Sequence, residues 1–277
     1  MMNHAQLFNL IKQKKSFLCV GLDTDINKIP PFLLQEEDAV FAFNKAIVDA
    51  TIAYAVAYKP NVAFYEALGP EGLLSLQKTI EYIRSLSQPV FLIADAKRGD
   101  IGNTSAMYAK TFFETMDFDA VTLSPYMGYD TLSPFLKYHD KWSVLLALTS
   151  NPGAADFQFF ENKKGKKLYE EVLETSAARA GHNQLMFVVG ATKAEALAGI
   201  RKIIPNHFIL VPGVGAQGGN LQMVAKYGLN KSCGLLVNSS RGIIYASNDA
   251  DFASAAAAKA KEIQTEMMHI LKQNLLI

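Results

Sequence analysis

Val90-Phe91-Leu92-Ile93-Ala94-Asp95-Ala96-Lys97-Arg98-Gly99-Asp100-Ile101-Gly102-Asn103-Thr104 is the stretch that decides the fold. Its first five residues form an unbroken apolar run, the pattern of a strand covered on both faces. Charges then arrive abruptly. Side chains alternate along a strand, so Asp95 and Lys97 share a face where the apolar strand runs out. Asp100 follows after a permissive glycine, and Asn103-Thr104 suits the start of a helix. Charges beside a core are costly unless paired or used. A lysine bracketed by two aspartates at a strand end therefore reads as a poised proton donor held in a strong field.

The same grammar repeats along the chain. Short apolar runs occur at Phe17–Leu22, Ala53–Tyr58, Val90–Ala94, Ala120–Leu123, Val144–Leu148, Met186–Gly190, Phe208–Val211 and Leu235–Val237. Helical patterns lie between them, at 37–53, 70–87, 103–115, 128–139, 165–181, 192–203 and 219–228, with a closing helix over 251–274. Glu37-Asp38 suits a helix start and Gly181 a stop. Eight strands alternating with helices predict an α/β fold, a TIM (β/α)8 barrel formed as a single domain over 1–277. An open doubly wound sheet is the alternative, but no Gly-rich dinucleotide fingerprint follows the first run. The Ala-rich closing helix is expected simply to pack. The irregular stretch from Asn151 to Gly165, with Phe157, Phe159 and Phe160, reads equally as a lid or as a loop tucked onto the barrel rim.

Composition narrows the function. The formal net charge is +1, which gives no basic imbalance for nucleic acid. Cys19 and Cys233 both lie in apolar runs and fit buried free thiols in a reducing compartment. No apolar run approaches the roughly 20 residues of a membrane span, and the N-terminal segment has no signal-peptide core. These features predict a soluble cytoplasmic protein.

A barrel of this kind carries its chemistry at the C-terminal strand ends. Those ends supply two groups of residues. One is a charged set, Asp23, Lys59, Asp95, Lys97 and Asp100; a structural ion-pair plug is the plain explanation for any one of them, but convergence of all five favours a site. The other is the loop from Pro212 through Gly213 to Gly219 after strand seven, followed by Arg241 after strand eight. Loops there commonly hold phosphate, with glycines admitting backbone N–H groups and an arginine closing a charged clamp. His4, His139, His182, His207 and His269 fall outside these ends, which argues against histidine acid–base or metal chemistry. A lysine between carboxylates keeps its proton, so it is a poor Schiff-base nucleophile. It suits delivery of a proton to a carbanion, or electrostatic stabilisation of one.

At this point the chain resembles the orotidine 5'-phosphate decarboxylase family. The family signature Asp-x-Lys-x-x-Asp-Ile with a nearby Thr is matched by Asp95, Lys97, Asp100, Ile101 and Thr104. Arg98-Gly99 and Lys59-Pro60-Asn61 are similar to its second bacterial branch, and the likeness runs from Gly21-Leu22-Asp23 to Ser240-Arg241-Gly242. Arg98 and the Asn238-Ser239-Ser240-Arg241 end depart from the best-known branch. The resemblance implies a cofactor-independent carboxy-lyase, without metal, that converts orotidine 5'-phosphate to UMP in pyrimidine biosynthesis. It implies that Lys97 protonates C6 and that Asp95 faces the departing carboxylate. Asp23 and Lys59 would contact the ribose, and Ser150 the pyrimidine. Pro212, Gly213, Gln217 and Arg241 would form the phosphate side. Asp100, Ile101 and Thr104 would reach into the partner's site of a homodimer. Two other readings stay open: a magnesium-dependent sugar-phosphate decarboxylase or aldolase of the same superfamily, and a catalytically silent nucleotide-binding barrel.

Overall fold

Eight parallel strands close into a barrel in sequence order, with the last strand paired to the first. A computed structural model describes residues 2–214 and 218–277. The strands are β1 Leu18–Leu22, β2 Ala57–Pro60, β3 Phe91–Arg98, β4 Ala120–Leu123, β5 Trp142–Leu148, β6 Leu185–Val189, β7 Ile209–Pro212 and β8 Leu235–Ser239. The helices are α1 His4–Lys14, α2 Ala39–Thr51, α3 Val62–Glu66, α4 Gly69–Ser85, α5 Gly102–Lys110, α6 Tyr129–Leu136, α7 Leu168–Ala177, α8 Leu197–Ile203, α9 Leu221–Gly228, α10 Arg241–Ile244 and α11 Phe252–Gln273. The strands are buried on both faces, as their continuous apolar runs require.

The differences from the sequence reading are instructive. β4 falls where its apolar run predicts. β2 does not: Ala53 sits in the turn that ends α2, and the strand starts only at Ala57. An apolar run does not distinguish a helix end from a strand start. Lys59 and Pro60 therefore lie inside the barrel wall rather than after it. β3 runs on through the charged residues to Arg98. Asp38 caps α2 as expected, its carboxylate accepting from the Phe41 N–H at 3.0 Å. Asn103-Thr104 does not cap α5, which begins at Gly102 without a side-chain cap. Helix α7 ends at Ala177, before Gly181. The short α3 and α10 have no periodic signature, and the sequence reading has neither.

Packing explains the closure. Helix α11 buries Phe252, Ala256, Ala260, Met267, Ile270 and Leu271, and Phe252 stacks on Phe43 of α2 at 5.4 Å. These helices cover the seam where β8 meets β1. On the seam a Cβ at Gly21 would overlap the Ser240 hydroxyl, so this position needs glycine. Above it, the Tyr245 hydroxyl accepts from the Asp25 N–H at 2.7 Å and donates to the Asp23 carbonyl at 2.9 Å. The start and the end of the chain are thus clasped at the barrel mouth. At the other end the Trp142 indole donates to the Met2 carbonyl at 2.9 Å, tying the segment before α1 to the floor.

Candidate active site

The C-terminal ends of the strands surround a cavity of about 570 Å³. Asp23, Lys59, Asp95, Lys97, Ser150, Pro212, Gly213 and Arg241 all line it. They arrive from β1, β2, β3, β5, β7 and β8 or from the loops just beyond. The wall is split chemically: the Asp and Lys side chains come from the ends of the first three strands and Arg241 from beyond β8, while Leu146, Val188 and Leu210 give β5, β6 and β7 an apolar face.

Asp95 is the centre of the charged half. Its Oδ2 accepts from Lys59 Nζ at 2.6 Å and its Oδ1 from Lys97 Nζ at 2.6 Å. Thr122 Oγ1 donates to the same Oδ1 at 3.1 Å. Asp23 Oδ1 stands 4.0 Å from Lys59 Nζ. Burial by itself would raise the Asp95 carboxyl; the ammonium groups of Lys59 and Lys97 outweigh it and hold the group well below the usual carboxylate range. Burial would likewise strip the proton from Lys59, whose side chain is only 4% exposed; Asp95 and then Asp23 reverse this and raise it above the ordinary lysine value. Lys59 is thus a buried cation on the cavity wall, held charged by the two aspartates. Lys97, with a side chain 50% exposed to the cavity mouth, is the ammonium free to meet a ligand.

Lys97 also sits on unusual backbone. Its φ is 48°, in the left-handed region that a lysine seldom occupies. Such a residue stores on the order of 1–3 kcal/mol and persists only where its surroundings dictate it. The distortion lies at a break in the β3–β4 register, between Ala94 opposite Val121 and Arg98 opposite Leu123.

Asp100 departs from the reading of five converging charges. It does not touch Lys97; its Oδ1 accepts from the neighbouring Ile101 N–H at 2.7 Å, and it does not line the cavity. Among the described residues only Asp95 pairs with Lys97. Ile101 is 53% exposed and Thr104 also lies on the surface, both away from their own chain's cavity. Gln217 lies outside the described residues. Ser150 turns a buried hydroxyl, without a partner among the described residues, against Gly190, where any Cβ would overlap it. Of the loop aromatics, Phe159 packs on Tyr169 while Phe157 and Phe160 face solvent, and none lines the cavity.

Sequence reasoning missed Thr122, the buried polar residue of β4 beside Asp95. Its signal was a hydroxyl in the otherwise apolar Ala120-Val121-Thr122-Leu123. None of the histidines lines the cavity, as expected from their positions. Among the described residues no group of His, Cys, Asp and Glu is arranged to hold a metal ion.

The arrangement can do two things at once. Arg241 offers a guanidinium to an anion, and Lys97 holds a proton beside a carboxylate that would repel a second carboxylate. A ligand with a phosphate at one end and a carboxylate at the other fits that division. Comparison with known proteins points the same way. The family described as Orotidine 5'-phosphate decarboxylase / HUMPS matches residues 16–256. The Bacteroides fragilis orotidine 5'-phosphate decarboxylase is 60% identical over 271 residues, covering 98% of this chain and 99% of that protein. The structure of Leishmania donovani OMP decarboxylase superposes with a TM-score of 0.79 at 36% identity, over 97% of this chain and 99% of its own. That of Leishmania donovani UMP synthase gives 0.82 at 38% identity over 96% of this chain, which spans only 57% of the synthase. With the barrel, the paired lysines and near-complete coverage all agreeing, the chain belongs to the orotidine 5'-phosphate decarboxylase family.

Proposed function

We propose that this chain is a carboxy-lyase converting orotidine 5'-phosphate to UMP, the last step of de novo UMP biosynthesis, within one (β/α)8 domain over 1–277. The observation that carries the reading is the Lys59–Asp95–Lys97 chain of hydrogen bonds in the same cavity as Arg241. Arg241, with Pro212, Gly213 and Gln217, takes the phosphate side; Asp23 and Lys59 take the ribose hydroxyls, and Ser150 the pyrimidine. The C6–carboxylate bond breaks, its electron pair stays on C6, carbon dioxide leaves and Lys97 Nζ gives C6 a proton. Asp95 keeps the ammonium aimed and presents negative charge to the departing group. Phosphate binding remote from C6 supplies energy that can be used at the reacting carbon.

The reading needs no cofactor and no metal. Lys59 opposes a cation where the magnesium-dependent alternative requires acidic ligands, and a silent nucleotide binder has no use for a paired proton donor. Homodimerisation, with Asp100, Ile101 and Thr104 serving the partner's site, is supported by exposed Ile101, Met107, Tyr126, Met127 and Tyr129 on and beside α5 and α6, which pack together. A cytoplasmic location is supported by the buried free thiols of Cys19 and Cys233, both pushed by burial up to about 12. Among the described residues no helix is long and apolar enough to cross a membrane.

Loss of orotate absorbance from orotidine 5'-phosphate, undiminished in excess chelator, is the expected result. Binding of UMP without turnover would overturn the assignment. Mixing Lys97→Ala and Asp100→Ala chains should restore one of the two sites in each hybrid dimer, because two-fold symmetry leaves one site with both residues intact. No recovery would place each site within one chain.

A further inference from the structure

The left-handed turn at Lys97 requires something to hold it, and the charged network does not do so: the hydrogen bonds of Lys97 Nζ and Lys59 Nζ fix side chains. The Ala96–Lys97 peptide is gripped from both sides instead. Its N–H, on Lys97, donates to Thr122 Oγ1 at 2.9 Å. Its carbonyl, on Ala96, accepts from Arg98 Nη1 at 3.2 Å. The two grips have independent anchors. Thr122 is buried in β4, and its one hydroxyl proton points toward Asp95 Oδ1 at 3.1 Å, with the Ala94 carbonyl at 3.4 Å. Arg98 is pinned by an ion pair to Glu66 at the end of α3, and its guanidinium lies 5.3 Å over Tyr108 and 5.6 Å over Phe112.

We propose that Thr122 and Arg98 are positioning residues for the reaction, a two-sided clamp on the Ala96–Lys97 peptide that holds the lysine backbone in its left-handed turn and keeps the Lys97 ammonium aimed. Thr122 does more than Arg98, because the same hydroxyl that takes the Lys97 N–H also orients the carboxylate that Lys97 pairs with. A hydrogen bond to each end of one peptide plane fixes its rotation, which is the degree of freedom a distorted residue would otherwise relax through. Neither residue needs to touch the substrate. Their contribution belongs in the catalytic step and not in ground-state binding. This rests on the decarboxylase reading above.

The experiment compares wild type with Thr122→Val, which keeps volume and loses the hydroxyl, and Thr122→Ser, which keeps the hydroxyl. Displacing a reacting group by about 1 Å costs around 100-fold, so Thr122→Val should lower kcat by roughly 10- to 100-fold. Its Kd for UMP should stay within about threefold of wild type, and Thr122→Ser should recover kcat to within about threefold. Valine turnover equal to wild type, equal impairment of valine and serine, or a loss confined to KM and UMP binding would each overturn the clamp. If Thr122→Val does not fold, Arg98→Met decides, since methionine keeps the apolar stem against Tyr108 and Phe112. A lowered kcat with unchanged UMP affinity is then expected, and unchanged kcat overturns the proposal. An inactive wild type would refute the decarboxylase reading instead, so the two failures are distinct.

Discussion

The charged cluster at the barrel mouth and the histidine cluster at its floor treat ionisable side chains in opposite ways. At the C-terminal mouth, Lys59, Asp95 and Lys97 are charged and bonded to one another. At the N-terminal floor, His4, His139, His182 and His207 gather just ahead of their strands or on α1, and there the buried imidazole is kept neutral. His4 and His182 meet edge to face at 5.0 Å, and His182 and His207 at 6.2 Å. Among the described residues neither ring nitrogen of His207 has a partner at good hydrogen-bond geometry; burial pushes its pKa down to about 4, more than the nearby Ala180 carbonyl offsets, and His182, Arg201 and His4 add to the lowering. Desolvation acts at both ends. At the mouth, opposite charges within 3 Å override it; beside His207 no carboxylate among the described residues does.

The largest test of this contrast is Lys97→Ala. Removing proton donor and field together should lower kcat at least about 10⁴-fold, read as loss of orotate absorbance, while the melting temperature stays near wild type. Turnover close to wild type would end the mechanism. Asp95→Asn should strike stability as well as rate, because it leaves the Lys59 ammonium buried against an amide; a loss of about 3–5 kcal/mol is expected in urea unfolding. Arg241→Ala should act mainly on binding, raising KM by roughly 10- to 100-fold, the worth of a charged hydrogen bond of about 1.5–3 kcal/mol. An unchanged KM would remove Arg241 from the phosphate side.

The smallest effect belongs to the floor and separates the two ends by pH. A neutral His207 has a folded pKa near 4, below the ordinary histidine value of 6.5. As pH falls below 6.5 the unfolded chain takes up this proton and the folded chain does not, so stability declines until about pH 4, by on the order of 3 kcal/mol. Asp95 behaves otherwise. Its folded pKa is depressed, so its contribution is intact above the ordinary Asp value of about 3.9 and is lost only as pH falls toward the folded value. Lys59 is raised, so its contribution fades only above about pH 10.4. Between pH 6.5 and 4 neither Asp95 nor Lys59 contributes to the slope, so denaturant titrations there should separate His207 from the mouth. His207→Leu should flatten that slope without altering kcat; a slope unchanged by the substitution would reassign it elsewhere.

Much of this was legible beforehand for one physical reason: parallel strands covered on both faces announce themselves as apolar runs, and the residue after each run is a candidate for the site. That reasoning reached Asp23, Lys59, Asp95, Lys97, Ser150 and Arg241. It failed where regular geometry failed. Asp100 was grouped with Lys97 because it follows closely at the same strand end, yet the chain turns left-handed at Lys97 and carries the half-buried Asp100 away from the cavity, as a role in the partner's site requires. Thr122 was overlooked because one hydroxyl in a strand is ordinary until a neighbouring backbone is seen to bend toward it.

The clasp at Tyr245 carries a consequence for the making of the protein. A chain emerging from the ribosome displays Lys97 long before the residues that close the barrel, but Tyr245 has to arrive before Asp23 and Asp25 are tied down at the mouth. Chains cut short ahead of β8 keep every charged group at the ends of β1, β2 and β3, yet lack the strand and the arginine that complete the cavity as well as the clasp. Enzymatic competence in this architecture therefore appears late and all at once, so a growth-based complementation assay on stepwise C-terminal truncations would register it as a threshold.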